Sequence, residues 1–186
     1  MTRVHTRRRD SARSKRELLD AAAALFTEQG FDRTTVREIG ERAGIDPALI
    51  ARYFGGKVGL YVETLRSSAE AGVPDILQPG RLGEVLDKVR GAGTSPIMQA
   101  AVRSHDDPAV QNAARATIAT RLTDPLAARM EQAGLPHARL RAELAVAALA
   151  GVALGRTSGV FADLSAASDA DVVELTTKVL GALLDH

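Results

Sequence analysis

Apolar residues recur three and four positions apart along most of this chain, with no convincing run of strict alternation, so the pattern predicts helices throughout. Leu18, Ala22, Leu25 and Phe26 form one stripe. Ser14 and Glu17 stand at capping-box spacing ahead of it, which starts a helix near Ser14 and runs it to Gln29. Gly30 ends that helix, and Phe31 is the hydrophobic residue that closes its C-terminus. Thr35 and Glu38 repeat the capping-box spacing, and Val36, Ile39 and Ala43 give the next helix a buried face. Ala43-Gly44-Ile45 is a turn in which Gly44 takes a positive φ cheaply and Ile45 plugs the angle between helices. Asp46 before Pro47 is an N-cap followed by a first-turn proline, starting a short helix that runs to about Phe54 and stops at Gly55-Gly56. Another helix is expected from about Lys57 through Glu70.

Downstream, the stretch from Gly72 to Gly80 holds Pro74 and Pro79 and breaks the pattern. Ser95-Pro96 and Asp107-Pro108 each pair an N-cap with a first-turn proline. Asp124-Pro125 does so inside a longer helical stretch, as either a break or a kink. Gly134 and Pro136 precede a long helix over His137 to Ser158, and Ser168 with Asp171 opens a last helix reaching Leu184. The expected fold is all-α with about nine helices. It divides into a flexible basic arm (1–12), a three-helix domain (13–56) with a helix-turn-helix at 35–54, a connecting helix (57–72) and a larger helical domain (73–186).

Composition narrows the class. The apolar residues are mostly Ala, Leu and Val and only 3% of the chain is aromatic, which favours helices over a β core. The chain has no cysteine, which excludes disulfides and thiolate metal sites and fits a reducing cytoplasm. The basic N-terminus lacks the apolar core of a signal peptide. The longest apolar run, Leu144 to Gly155, is far shorter than the ~20 residues needed to span a bilayer. A soluble, cytoplasmic protein is expected. Charge is unevenly spread: up to Lys57 there are twelve Lys or Arg against eight Asp or Glu, and from Val58 onward twelve against fifteen. Positive charge beside a helix-turn-helix is the electrostatic footprint of a protein that binds a phosphate backbone.

The stretch from Arg13 to Gly72 resembles the DNA-binding domain of TetR-family transcriptional regulators. The resemblance is carried by Gln29-Gly30-Phe31, Thr34-Thr35-Val36, Ala43-Gly44-Ile45, Tyr53-Phe54 and Lys57 followed by Leu60-Tyr61. Ala51 departs from it, since many members carry Tyr there within a Leu-Tyr-x-x-Phe pattern. The resemblance implies a recognition helix at 46–54 whose Pro47, Ala48, Leu49, Ala51, Arg52 and Tyr53 face the major groove. Pro, Ala and Leu side chains pack against thymine methyls, and Arg52 grips either guanine O6 and N7 or a phosphate. The Tyr53 hydroxyl reaches a phosphate, and Phe54 is core. Lys57, at a helix N-terminus, attracts phosphate, and Thr34 and Thr35 stand at the equivalent place one helix earlier. Arg7, Arg8 and Arg9, with Arg3 and Arg13, supply non-specific phosphate attraction or reach a neighbouring minor groove.

The resemblance also implies a homodimer, a small-molecule effector and double-stranded DNA as partner, with no cofactor and no membrane. The expected dimer face takes Leu144, Ala148, Gly151, Gly155, Val172, Leu175, Val179 and Leu183 from the last two long helices. The candidate effector pocket takes Tyr61, Leu65, Met98, Val102, Ile118, Leu122 and Met130, residue types that also suit plain core. His105-Asp106-Asp107 is the only cluster of catalytic or metal-binding residue types, and Asp107 is already an N-cap. His5, His137 and His186 are isolated, and no catalytic motif is present, so no enzyme is expected. The reading is a sequence-specific repressor released by a ligand. The alternatives are an interaction module with a structural helix-turn-helix, and a regulator that activates or has no effector.

Overall fold

Caps and glycines divide the chain into helices much where the pattern places them. The computed structural model describes residues 3–70, 83–84 and 95–184, and every regular element among them is helical. These are α1 (Arg3–Gln29), α2 (Val36–Ala43), α3 (Ala48–Phe54), α4 (Lys57–Glu70), α5 (Pro96–Ala100), α6 (Pro108–Ile118), α7 (Asp124–Gln132), α8 (Ala138–Ser158), α9 (Ala162–Ala166) and α10 (Asp169–Leu184). A π turn at Ala119–Thr123 joins α6 to α7 without a break. The expected break at Gly72–Gly80, with Pro74 and Pro79, lies outside the described residues, as does the boundary drawn at 72–73.

α1 begins at Arg3 and not near Ser14. The segment expected to be a flexible arm is helical, because residues 3–13 contain neither Gly nor Pro and five of them are arginine, a good helix former. Asp124-Pro125 is neither a break nor a simple stop. The Asp124 amide donates to the Ala119 carbonyl across the π turn, and this wider turn lets the helix pass Pro125, which lacks an N–H. α9 was not legible in the pattern; it follows Gly159, whose φ of 70° ends α8.

The caps act largely as the sequence predicts. Asp107 Oδ1 accepts from the Ala109 amide at 2.7 Å, and Ser168 Oγ from the Asp171 amide at 3.2 Å. Ser95 holds the N-cap position of α5 without a side-chain bond.

Two apolar layers follow. Leu18, Ala22, Phe26, Ile39, Ile50 and Leu60 close the α1–α4 unit. In the second layer, Ala142, Ala145, Ala150 and Ala153 of α8 are buried, and their small size brings helices α5, α7 and α10 close around it. Every residue of α5 is buried, and Gln99 Nε2 donates to the Thr27 carbonyl at 3.0 Å, which ties the two layers together. Arg156, almost wholly buried, pairs with Asp169 and donates to the Ala167 carbonyl at 3.0 Å, fixing the α8–α9–α10 corner.

Candidate nucleic-acid interface

The geometry starts at the end of α1. Gly30, with φ 84°, turns the chain, and Thr34 is carried inward. Its side chain is 1% exposed, and its hydroxyl donates to the Gly30 carbonyl at 2.7 Å. Thr34 therefore shapes the entry to α2 and does not present its side chain outward, contrary to expectation. Thr35 is exposed and completes the capping box: its Oγ1 accepts from the Glu38 amide at 3.2 Å, and its amide donates to Glu38 Oε2 at 2.7 Å. That hydrogen bonding, with the Thr35 hydroxyl first, holds the Glu38 carboxyl below the usual carboxylate range.

α2 faces inward through Ile39 and Gly40, with Ala43 partly buried. Val36 was expected on that face and is exposed, because it lies in the first turn, before α2 reaches α1. Arg42 clamps α2 to α1 through a two-pronged pair with Glu28, at 2.6 and 2.7 Å. No feature of the local pattern signals that pair, since its members are fourteen residues apart.

Gly44 adopts φ 66°, and the Ile45 amide donates to the Gly40 carbonyl at 2.9 Å to close the turn. Asp46 Oδ1 accepts from the Ala48 amide at 2.9 Å, and Pro47 already has helical torsions, so the expected cap and first-turn proline are both in place. Within α3, Ile50 is buried, Leu49, Tyr53 and Phe54 pack partly on the core, and Ala48, Ala51 and Arg52 are exposed. Pro47 and Leu49, expected to face outward, turn part of their surface to the protein. No hydrogen bond or ion pair holds the Arg52 guanidinium among the described residues.

Gly55 and Gly56 end α3, and Lys57 opens α4. The Lys57 ammonium lies 4.1 Å from the centre of the Phe31 ring. Partial burial pushes its pKa down, against the opposing pull of Asp32 and Glu38. Tyr53 has Lys15 Nζ 5.4 Å from its ring centre. Arg7, Arg8 and Arg9 fall on the N-terminal part of α1. The exposed surface thus gathers Thr35, Ala48, Ala51 and Arg52 with the partly exposed Pro47, Leu49, Tyr53 and Lys57.

The proposed effector residues are mostly core. Leu65, Met98, Leu122 and Met130 are buried, Ile118 is partly buried, and Val102 is exposed. Val102 was misplaced because the chain leaves its helix at Ala100. Tyr61 joins Phe26, Phe31 and His105 in an aromatic cluster, with its hydroxyl and His105 Nε2 sharing a 2.9 Å hydrogen bond. Burial, reinforced by Asp32, pushes the Tyr61 phenol well up, so it stays protonated. His105 is therefore a packed residue joining the two layers. No group of three His, Asp or Glu able to hold a metal occurs among the described residues.

On the expected dimer face, Leu144, Gly151, Leu175 and Val179 are exposed, joined by Leu140, while Ala148 and Leu183 are partly buried. Gly155 and Val172 are not on it. Gly155 is covered by Phe161 and Leu164 of the α9 corner, and Val172 points into the core.

Comparison with known proteins follows the same division. Residues 18–64 match the family described as bacterial regulatory proteins, tetR family, and residues 81–184 match the tetracyclin repressor-like C-terminal domain. The HTH-type transcriptional regulator BetI of Brucella anthropi is 44% identical over 52 residues, 28% of this chain and 27% of that one. BetI of Rhizobium meliloti is 42% identical over 53 residues, 28% and 26% of the two chains. The match thus spans about a quarter of those relatives' length. Among solved structures, a TetR-family regulator from Agrobacterium tumefaciens superposes with TM-score 0.65 at 20% identity, covering 94% of this chain and all of that one. FadR from Bacillus subtilis, in complex with stearoyl-CoA, does so with TM-score 0.58 at 19% identity, covering 91% and 97%. With both halves matched and the helix-turn-helix built as described, the chain belongs to the tetR family of bacterial regulatory proteins and is a transcriptional regulator with a DNA-binding helix-turn-helix.

Proposed function

We propose that this chain is a homodimeric repressor, released from a near-palindromic operator when a small molecule binds. The observation that carries the proposal is the outward face of α3, where Arg52 is free of internal partners and is exposed together with Ala48 and Ala51. A guanidinium in that position meets a guanine edge or a phosphate, and small neighbours allow close approach to thymine methyls. Lys57 and the amide end of α4 add a phosphate contact.

The dimer is supported by the exposed apolar strip of Leu140, Leu144, Leu175 and Val179, an unusual feature for a free surface. Its edges carry the exposed pairs Arg139–Glu143 and Glu174–Lys178. A twofold axis through that strip buries the same patch on both copies and sets two α3 helices on successive turns of the duplex, ~34 Å apart. Release by a ligand is supported by the same fold holding stearoyl-CoA in FadR. It is also supported by the Phe31–Tyr61–His105 cluster, through which a shift in the α5–α6 connection reaches the Lys57 end of α4.

The test is selection of the purified dimer against a random duplex DNA library at low salt. An enriched near-palindrome is expected. Folded dimeric protein that enriches nothing refutes the operator-binding reading.

A further inference from the structure

We propose that Gly40 and Gly59 are positioning residues for DNA recognition, setting the tilt of α3 by seating each of its ends where a side chain would otherwise stand. Neither glycine adopts a positive φ, and each lies inside a helix, where alanine is the more favourable residue. Their reason is therefore proximity. A Cβ on Gly40 would lie 2.7 and 2.9 Å from Pro47 Cγ and Cδ, and 2.8 Å from the Ile45 carbonyl oxygen. A Cβ on Gly59 would overlap the Phe54 carbonyl oxygen. Pro47 stands at the first turn of α3 and Phe54 at its last residue, so the two glycines meet opposite ends of the same helix.

Between those ends α3 is held by Ile50 and by the partly buried Leu49, Tyr53 and Phe54. α3 has seven residues and a single fully buried side chain, Ile50, about which so short a helix can rock. The Gly40 carbonyl also accepts the Ile45 amide at 2.9 Å, so the turn and the proline ring bear on one residue. Close packing passes a displacement on instead of absorbing it. A methyl group at position 40 therefore pushes the N-terminal end of α3 outward and moves Ala48, Ala51 and Arg52 relative to the groove. The inference rests on the reading of α3 as the recognition helix.

The experiment titrates full-length wild type, Gly40→Ala, Pro47→Ala, the double variant and Gly59→Ala against the operator that wild type enriches. Gly40→Ala is expected to weaken binding about tenfold, equivalent to about 1.4 kcal/mol. Made in the Pro47→Ala background, the same step costs no more than about threefold, because two of the three crowding atoms are gone. Gly59→Ala also weakens binding, and Pro47→Ala does not restore it. Library selection repeated with Gly40→Ala yields an altered half-site or spacing, a readout that a general loss of stability would not move. Equal costs in both backgrounds, or wild-type affinity and sequence preference in Gly40→Ala, overturn the proposal. If Gly40→Ala fails to fold, a double variant that folds and binds supports it, and one that stays unfolded overturns it. A wild-type dimer that enriches no sequence overturns the recognition-helix reading and this inference with it, an outcome distinct from unrescued losses in a protein that does select an operator.

Discussion

The α2–α3 pair and the α8–α10 pair are both two-helix units, yet different forces hold them. In the first, bonds between near neighbours define the geometry: Thr35 with Glu38, Ile45 with Gly40, Asp46 with Ala48. In the second, the helices meet through groups from distant parts of the chain, Arg156 with Asp169 and Arg141 Nη1 with the Leu183 carbonyl at 2.7 Å. Local chemistry specifies the first pair, so its glycines and caps announce it. The second is specified by which side of each helix the rest of the core covers, and helical spacing alone does not say which side that is.

The largest effect expected from this contrast separates two residues of α10. Val172 is 4% exposed and Leu175 is 61% exposed, although both fit one apolar repeat. Val172→Asp buries an unpaired carboxylate in the core, a cost of several kcal/mol that protonation of the group only partly relieves. Leu175→Asp leaves the monomer stability within about 0.5 kcal/mol and separates the proposed dimer. Sedimentation and denaturant titration of the two variants check this together. A Leu175→Asp protein that remains dimeric moves the interface away from the Leu140–Val179 strip.

A smaller effect divides the charged residues of the helix-turn-helix itself. Arg52 has no internal partner, whereas Lys57 rests on Phe31 with Asp32 and Glu38 nearby. If Arg52 reads a base, Arg52→Ala costs about 1–3 kcal/mol and relaxes preference at one position of each half-site. Lys57→Ala weakens binding evenly across sequences and lowers the salt slope by about one. Binding isotherms on the selected operator and on single-base variants, at several salt concentrations, distinguish these outcomes. A uniform loss for Arg52→Ala returns that residue to the phosphate backbone.

The same contrast explains how much the sequence made legible. The starts of α2, α3, α6 and α10 follow from side chains that cap within three residues, and each cap is in place. The run of α1 back to Arg3 was missed because a capping-box pattern at Ser14 does not stop a helix that has no breaker ahead of it. Thr34 and Val36 were misplaced for the opposite reason. Each sits beside a good local signal, but its burial depends on where the end of α1 lies. Gly155 and Val172 were assigned to the dimer face by spacing, and only the α9 corner and the core show why they turn inward. The Arg42–Glu28 clamp and the Tyr61–His105 bond join residues that no local pattern relates.

The smallest predicted effect tests the local end of the contrast, where one cap starts α2. At neutral pH, Thr35→Ala removes the hydroxyl half of the capping box, leaves the residue-35 amide bonded to Glu38, and costs about 1 kcal/mol. The bond also has a pH signature. Glu38 is held below the usual carboxylate range chiefly by the Thr35 hydroxyl and then by the Thr35 amide, so its ionised form is favoured in the folded state. A carboxyl with a lowered folded pKa adds stability above its unfolded pKa, and that contribution is lost as pH falls through the folded pKa. The cap should therefore be fully present at neutral pH and fade on acidification below about pH 4. Thr35→Ala, which keeps only the amide part of that bonding to Glu38, should show a smaller change between those two conditions than wild type. Urea titrations of both proteins at neutral and acidic pH measure it. Parallel losses in the two proteins would assign the acid sensitivity to other carboxylates, beginning with Glu28, whose pKa the Arg42 hydrogen bond also lowers.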